Sequence, residues 1–256
     1  VLKKYYNSVM LMTDGTIAIS KFIYNEIKTK YQKMPKVIKI IPRGIDLEFF
    51  NASSIDQQIK NDILTEFKIN KDAIKIMLPG RMTEWKGHLL LLNAFEQVTQ
   101  QTEKKLELLM VGPDDNTSLK NRLTTFVHEK DIEGTVHFIS ARNDINNFYS
   151  IADIVVSPST DPEAFGRISV EAQAMGKFVI ASNHGGSTET IINNETGYLF
   201  NNADENDLSA KILKAINEDK HCSEIVRKAC ITNVQKNYSD KKMCDSTLNF
   251  YNEIIG

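Results

Sequence analysis

Glu163 and Glu171 stand eight residues apart, and upstream of them Arg81 and Lys86 stand five apart, each pair beside a junction where an apolar run gives way to a helical pattern. Carboxylates accept hydrogen bonds from paired sugar hydroxyls and are poor partners for phosphate. A guanidinium forks onto two phosphate oxygens, whereas an ammonium acts on them as a point charge. The four residue types therefore describe a ligand with a diphosphate at its centre and a hydroxylated ring at either end. A spacing of eight along a helix corresponds to on the order of 10 Å. Glu171 then suits a ribose and Glu163 a second sugar.

Three loops carry this chemistry. In Leu78-Pro79-Gly80-Arg81-Met82-Thr83-Glu84-Trp85-Lys86-Gly87, glycine, arginine and lysine follow a strand and open a helix, where backbone N–H groups and cations can meet an anion. A solvated loop with incidental basic residues has the same composition, so this loop decides nothing by itself. In the stretch from Pro158 to Ala172, Glu163 precedes a helix start at Gly166 and Glu171 lies two turns inside it. Gly166 leaves room for a phosphate at the first helical N–H groups. The spacing of the two glutamates recurs by chance about once in a chain of this composition, so their place after a strand carries the weight. The third loop runs from Ser182 to Glu189. Its Gly185-Gly186 pair lets backbone approach a ligand closely. A plain turn with Ser187 or Thr188 capping the next helix explains it equally, and His184 reads more readily as an inert surface histidine than as an acid or base.

Such loops need a scaffold. Apolar, β-branched runs at 16–19, 37–41, 74–78, 106–111, 136–139, 154–157 and 178–181 read as strands. Helical patterns occupy 88–101, 118–129, 167–175, 205–218 and 223–237, with a further patch at 59–67 and an amphipathic terminal helix over 240–254. Alternation of this kind predicts an α/β fold with a doubly wound parallel sheet, whose ligands sit beyond the carboxyl ends of the strands. The expected division is a small unit at 1–46, a linker at 47–72, a Rossmann-like domain at 73–237 and a closing helix at 238–256.

Composition removes other classes. Apolar residues make up 41% of the 256, enough for one large core or two modest ones, and no run approaches the roughly 20 residues of a membrane span. A net charge of -2 gives no field that would draw nucleic acid. No Gly-x-Gly-x-x-Gly run is present, against a dinucleotide site. The chain opens on Val1 without a secretory apolar core, and is expected to have been trimmed or to begin inside a longer protein. Cys222, Cys230 and Cys244 form an odd set without Cys-x-x-Cys spacing. His221 beside Cys222 could be half of a metal site, but three reduced thiols, pointing to the cytoplasm, is the simpler reading.

Taken together the loops resemble the retaining glycosyltransferases of the GT-B fold known as family 4, or group 1. The likeness rests on Ile41-Pro42-Arg43-Gly44-Ile45-Asp46, Gly80-Arg81 with Lys86-Gly87, Val111-Gly112, Val136-His137-Phe138, Asp153 through Ser157-Pro158, Glu163-Ala164-Phe165-Gly166, Glu171-Ala172, Gly185-Gly186 and Gly197-Tyr198-Leu199. The segment Asp161-Pro162-Glu163-Ala164-Phe165-Gly166-Arg167 is similar to bacterial members that build lipopolysaccharide and other surface glycans. The resemblance implies a nucleoside-diphosphate sugar as donor and a glycan or lipid-linked acceptor, with no metal required.

Arg81, Lys86 and Glu163 are the implied catalytic set. Gly80, Arg142, Ala164, Phe165, Gly166, Arg167, Ile168 and Glu171 complete the implied donor site, with the base near Ser140 to Arg142. Members of the family carry a full N-terminal acceptor domain, of which residues 1–46 match only the closing strands. The resemblance therefore implies weak transfer by this chain alone, self-association through surfaces left by the missing part, and peripheral contact with the inner face of the membrane. A synthase acting on a soluble sugar, a phosphorylase, and a non-catalytic nucleotide-binding fragment are the alternatives.

Overall fold

The computed structural model describes residues 8–31 and 34–256; the opening Val1 read above lies outside the described residues. A small unit comes first. Strands β1 (Thr16–Ala18) and β2 (Ile38–Ile40) pair in parallel around α1 (Lys21–Lys30). The stretch 47–72 contains α2 (Gln57–Glu66). It does more than connect, because Phe50, Ile55, Ile63 and Ile69 are buried in the same core as Met77 and Leu109.

The main unit alternates as its apolar runs require. In chain order it comprises β3 (Ile74–Pro79), α3 (His88–Thr99), β4 (Leu106–Val111), α4 (Thr117–Glu129), β5 (Val136–Ile139), α5 (Ile145–Ile151) and β6 (Ile154–Ser157). It continues with α6 (Arg167–Ala174), β7 (Phe178–Ser182), α7 (Ser187–Thr190), β8 (Gly197–Phe200), α8 (Glu205–Asn217), α9 (Glu224–Asn237) and α10 (Asp240–Ile255). All strand pairs are parallel, in the order β5-β4-β3-β6-β7-β8. The chain steps outward from β3 to β5, then restarts at β6 on the other flank of β3. That reversal opens a crevice at the carboxyl ends of β3 and β6, where ligands of such sheets bind.

Both faces of the sheet are covered, which is why its strands read as continuous apolar runs. One face packs Ile76, Leu108 and Val156 against Leu91 and Phe95 of α3, Leu123 of α4 and Ile212 of α8. The other packs Met77, Leu109 and Val155 against Phe148 of α5, Val170 of α6 and Val234 of α9. Each fully buried aliphatic or aromatic side chain contributes about 1.5–3 kcal/mol. Two elements, α5 and β8, fall outside the periodic runs of the sequence; the short α5 carries the polar Asn146 and Asn147 on one side.

The closing helix returns to the small unit. Ile45 and Tyr238–Asp240 exchange backbone hydrogen bonds of 2.9 and 3.1 Å, Lys39 pairs with Glu253 at 2.6 Å, and Phe250 is buried. No helix among the described residues is long and apolar enough to cross a membrane.

Candidate functional site

The loops after β3 and β6 flank the crevice, and backbone contacts lock them together. Thr160 N–H donates to the Trp85 carbonyl at 2.7 Å. Gly87 opens α3 at φ 74°, and any side chain there would collide with Pro158. Lys86 is thereby carried over to the β6 loop. Its Nζ lies 2.5 Å from Oε1 of Glu163 and 4.4 Å from the Trp85 ring centroid. Both charged side chains are largely withdrawn from water, at 15% and 16% exposure. Glu163 Oε1 also accepts from Ser159 Oγ at 2.7 Å.

Gly185 and Gly186 have a different role from close approach to a ligand. A Cβ on Gly186 would lie 2.5 Å from Phe165 Cα, and one on Gly185 would lie 2.6 Å from the Glu163 carbonyl oxygen. Gly186 N–H donates to that same oxygen at 2.7 Å. The glycine pair is thus a backbone-on-backbone seat for the Glu163 loop. His184 belongs to the seat too, with Nε2 2.8 Å from the Ser159 carbonyl. Ser20, which caps α1, donates from Oγ to the Ala164 carbonyl at 2.7 Å. Phe165 is buried against Tyr238, with ring centroids 5.8 Å apart.

Beyond Phe165 the chain turns into α6 at Gly166, with φ 84°. Elsewhere Ser20, Asp56, Asn116, Asp204, Ser223 and Ser239 cap α1, α2, α4, α8, α9 and α10 by accepting from a first-turn N–H. Neither Gly87 nor Gly166 can, so α3 and α6, like α5 at Asp144 and α7 at Gly186, start without a side-chain acceptor. An anion can take that place.

Between these loops lies a cleft of about 310 Å³ lined by Gly80, Gly112, Arg142, Ile145, Ile168 and Glu171, among others. Gly80 joins it to the Lys86–Glu163 pair. A Cβ built on Gly80 would meet Ile168 Cδ1 at 3.7 Å on one side and Lys86 Cε at 4.0 Å on the other. Lys86 and Glu163 thus adjoin the cleft through Gly80, although neither lines it. Glu171 accepts from Tyr149 Oη at 2.9 Å and from Arg167 Nε at 2.6 Å. Arg142 spans to Asp144 through two hydrogen bonds of 2.8 and 3.0 Å and stacks over Phe148.

The other expected site residues divide by placement. Arg81 is exposed at the mouth of the β3 loop, and Arg167 is exposed on the outer side of Glu171. Ala164 contributes its carbonyl to Ser20, and Phe165 anchors the loop from inside the core. Tyr149 and Ser159, which orient the two glutamates, carry no signal in the linear sequence. Tyr149 sits in the short α5, and Ser159 is one of many loop serines. His88, at the start of α3, is buried, and burial lowers its pKa to about 4. Away from the crevice, ligand-type atoms of Asp219, His221 and Cys222 lie within 4.8 Å of one another, with Lys104 Nζ 3.4 Å from Asp219.

Residues 60–232 match the family described as "Glycosyl transferases group 1". The lipopolysaccharide 1,2-N-acetylglucosaminetransferase of Salmonella typhimurium is 31% identical over 200 residues, 75% of this chain and 50% of that enzyme. A glycosyltransferase from Rickettsia africae superposes with a TM-score of 0.90 at 31% identity, over 99% of this chain and 67% of that one. Anabaena Alr3699/HepE, solved in complex with UDP and glucose, gives a TM-score of 0.83 at 20% identity, over 93% and 62%. The chain thus spans half to two-thirds of the length of these proteins. With that family match covering residues 60–232, on a six-stranded parallel sheet whose order reverses between β3 and β6, the chain belongs to the group 1 glycosyl transferases.

Proposed function

We propose that the cleft binds a nucleoside-diphosphate sugar and that the protein transfers the sugar, with retention of anomeric configuration, to a glycan or lipid-linked acceptor. The observation that carries this reading is the arrangement in which the Lys86–Glu163 pair adjoins, through Gly80, the cleft lined by Ile168 and Glu171. It offers a carboxylate at each end and a cation, with an uncapped helix start, in between. Glu171 takes the ribose hydroxyls, the first turn of α6 and Arg81 take the diphosphate, and Glu163 takes the sugar. The base lies beside Arg142 and Ile145.

In the transfer step the bond between the sugar anomeric carbon and the diphosphate oxygen breaks, and the acceptor oxygen bonds to that carbon from the same face. The acceptor proton passes to the departing diphosphate. Lys86 and Arg81 offset the charge that builds on that leaving group, and fixed cations in a water-poor site do so at little reorganisation cost. Lys86 starts from its pairing with Glu163, so the sugar site and the diphosphate site share one ammonium. With positive charge supplied this way, the reading assigns no metal. The Salmonella relative, named for lipopolysaccharide synthesis, supports a surface-glycan acceptor, met in the cytoplasm at the inner face of the membrane.

The test is a binding panel of UDP-, GDP- and ADP-sugars against the chain, followed by transfer to a surface-glycan acceptor with the product anomeric proton read by NMR. Saturable binding of one donor class and an anomeric configuration equal to the donor's are expected. Absence of binding to all three, or an inverted product, overturns the reading.

A further inference from the structure

We infer that Tyr149 is a positioning residue that holds Glu171 ready for the vicinal hydroxyls of a ribose, so that the site distinguishes a ribonucleoside diphosphate from its 2′,3′-dideoxy counterpart. The inference rests on the ribose role of Glu171 proposed above.

Two donors hold the Glu171 carboxylate, and they are unlike. Tyr149 is fully buried, its ring set edge-on to Phe50 with centroids 5.9 Å apart, and its Oη donates to Oε2 at 2.9 Å. Arg167 reaches Oε1 from a side chain that is 68% exposed. The phenol is fixed by the core, whereas the guanidinium stands on an exposed side chain. A carboxylate has about four acceptor positions, so the two donors leave two for hydroxyls.

Tyr149 also keeps its proton. Burial first, and then the neighbouring Glu171 charge, push its pKa well above the ordinary phenol value. It therefore always donates to the carboxylate and never competes for the hydroxyl hydrogens. Without the phenol, the arginine fork is free to take both carboxylate oxygens at once, the geometry it prefers. That would turn Glu171 away from the cleft toward the exposed face of α6. Tyr149 thus biases one carboxylate between an inward and an outward partner, from a position that touches no ligand.

The experiment compares wild type, Tyr149→Phe and Tyr198→Phe by calorimetric titration. The probe is whichever of UDP, GDP and ADP binds wild type tightest, together with its 2′,3′-dideoxy form. Tyr198 is the control, being another buried tyrosine whose hydroxyl donates to a glutamate, Glu218, at 2.6 Å in a different part of the molecule. Wild type is expected to prefer the ribonucleotide by about tenfold, the size of one charge-assisted hydrogen bond. Tyr149→Phe should lose most of that preference by weakening the ribonucleotide alone, and Tyr198→Phe should keep it. In a Glu171→Ala background, Tyr149→Phe should have no further effect on the preference. Equal weakening of both nucleotides by Tyr149→Phe, an unchanged preference, or additivity with Glu171→Ala overturns the inference and leaves the donor reading standing. Failure of wild type to bind any nucleoside diphosphate overturns both. If Tyr149→Phe does not fold, Phe50→Leu decides in its place, since it removes the ring that Tyr149 is set against: the preference should fall through the ribonucleotide alone, and an unchanged preference overturns the inference.

Discussion

Lys86 Nζ and Glu163 Oε1 sit 2.5 Å apart although their residues are 77 positions apart in sequence and stand on loops from two different strands. The pair exists because β3 and β6 are neighbours across the point where the sheet reverses its order. Neither side chain has much water around it, so each is the other's principal compensation for lost hydration.

That mutual dependence is measurable in denaturation. Lys86→Met and Glu163→Gln should each destabilise the fold, because each leaves an ionic or polar group without its partner. The double variant should lose less than the sum, with a coupling of roughly 1–3 kcal/mol. Additive losses would mean that the two side chains are held independently.

Arg81 should behave in the opposite way. It is exposed and forms no ion pair among the described residues, so Arg81→Ala should change stability by no more than about 0.5 kcal/mol. Affinity for the nucleoside diphosphate should fall by roughly 10- to 100-fold. Titration of the variant alongside its melting curve separates the two effects.

The glycine seat gives a packing prediction. Gly186→Ala places a methyl group 2.5 Å from Phe165 Cα, where backbone must shift to admit it. A loss of about 1–3 kcal/mol is expected, together with weaker nucleotide binding, because the displaced loop carries Glu163. Gly134→Ala has nothing within 4 Å to meet and should be near neutral in both assays.

Stability should also depend on acid through His88. Its folded pKa is lowered from 6.5 to about 4, chiefly by burial, so between those values the unfolded chain binds the extra proton. Stability from this group is therefore complete above about pH 6.5 and is lost as pH falls toward 4, by roughly 3 kcal/mol in all. His88→Asn should flatten that part of the stability–pH curve. An unchanged slope would place the titration elsewhere.

Cysteine reactivity checks the core directly. Cys222 and Cys244 are exposed, whereas Cys230 is buried and its thiol is pushed up to about 12 by that burial. A thiol reagent should modify two cysteines in the folded protein and the third only on unfolding.

Much of this molecule is written in local patterns. The alternation of apolar runs with helical periodicities yields the parallel sheet, because strands buried on both faces need apolar residues at every position. Glu163, Glu171, Arg81 and Lys86 stand out in the sequence because their types suit one ligand and their loops follow strands. Their partners do not. Tyr149 lies in a helix of seven residues, too short for a periodic signal, and its bond to Glu171 spans 22 positions. Gly185-Gly186 reads in the sequence as a place where backbone approaches a ligand, whereas in the fold the group that meets it is the backbone of Glu163 and Phe165. β8 was hidden because Gly197 starts it and only four residues pair. Local chemistry shows in the chain; the identity of what meets it across the fold does not.

The central claim is that the side chains of Lys86, Glu163 and Glu171 serve a single ligand site at the β3–β6 crevice. Amide chemical shifts followed during titration with the tightest-binding nucleoside diphosphate test this most directly. The account predicts changes clustered at Gly80–Arg81, Gly112, Arg142, Glu163, Gly166–Ile168 and Glu171, with none around the separate cavity lined by Asn51, Arg227 and Gln235. Shifts centred on that other cavity, or divided between Glu163 and Glu171 with different affinities, would contradict it.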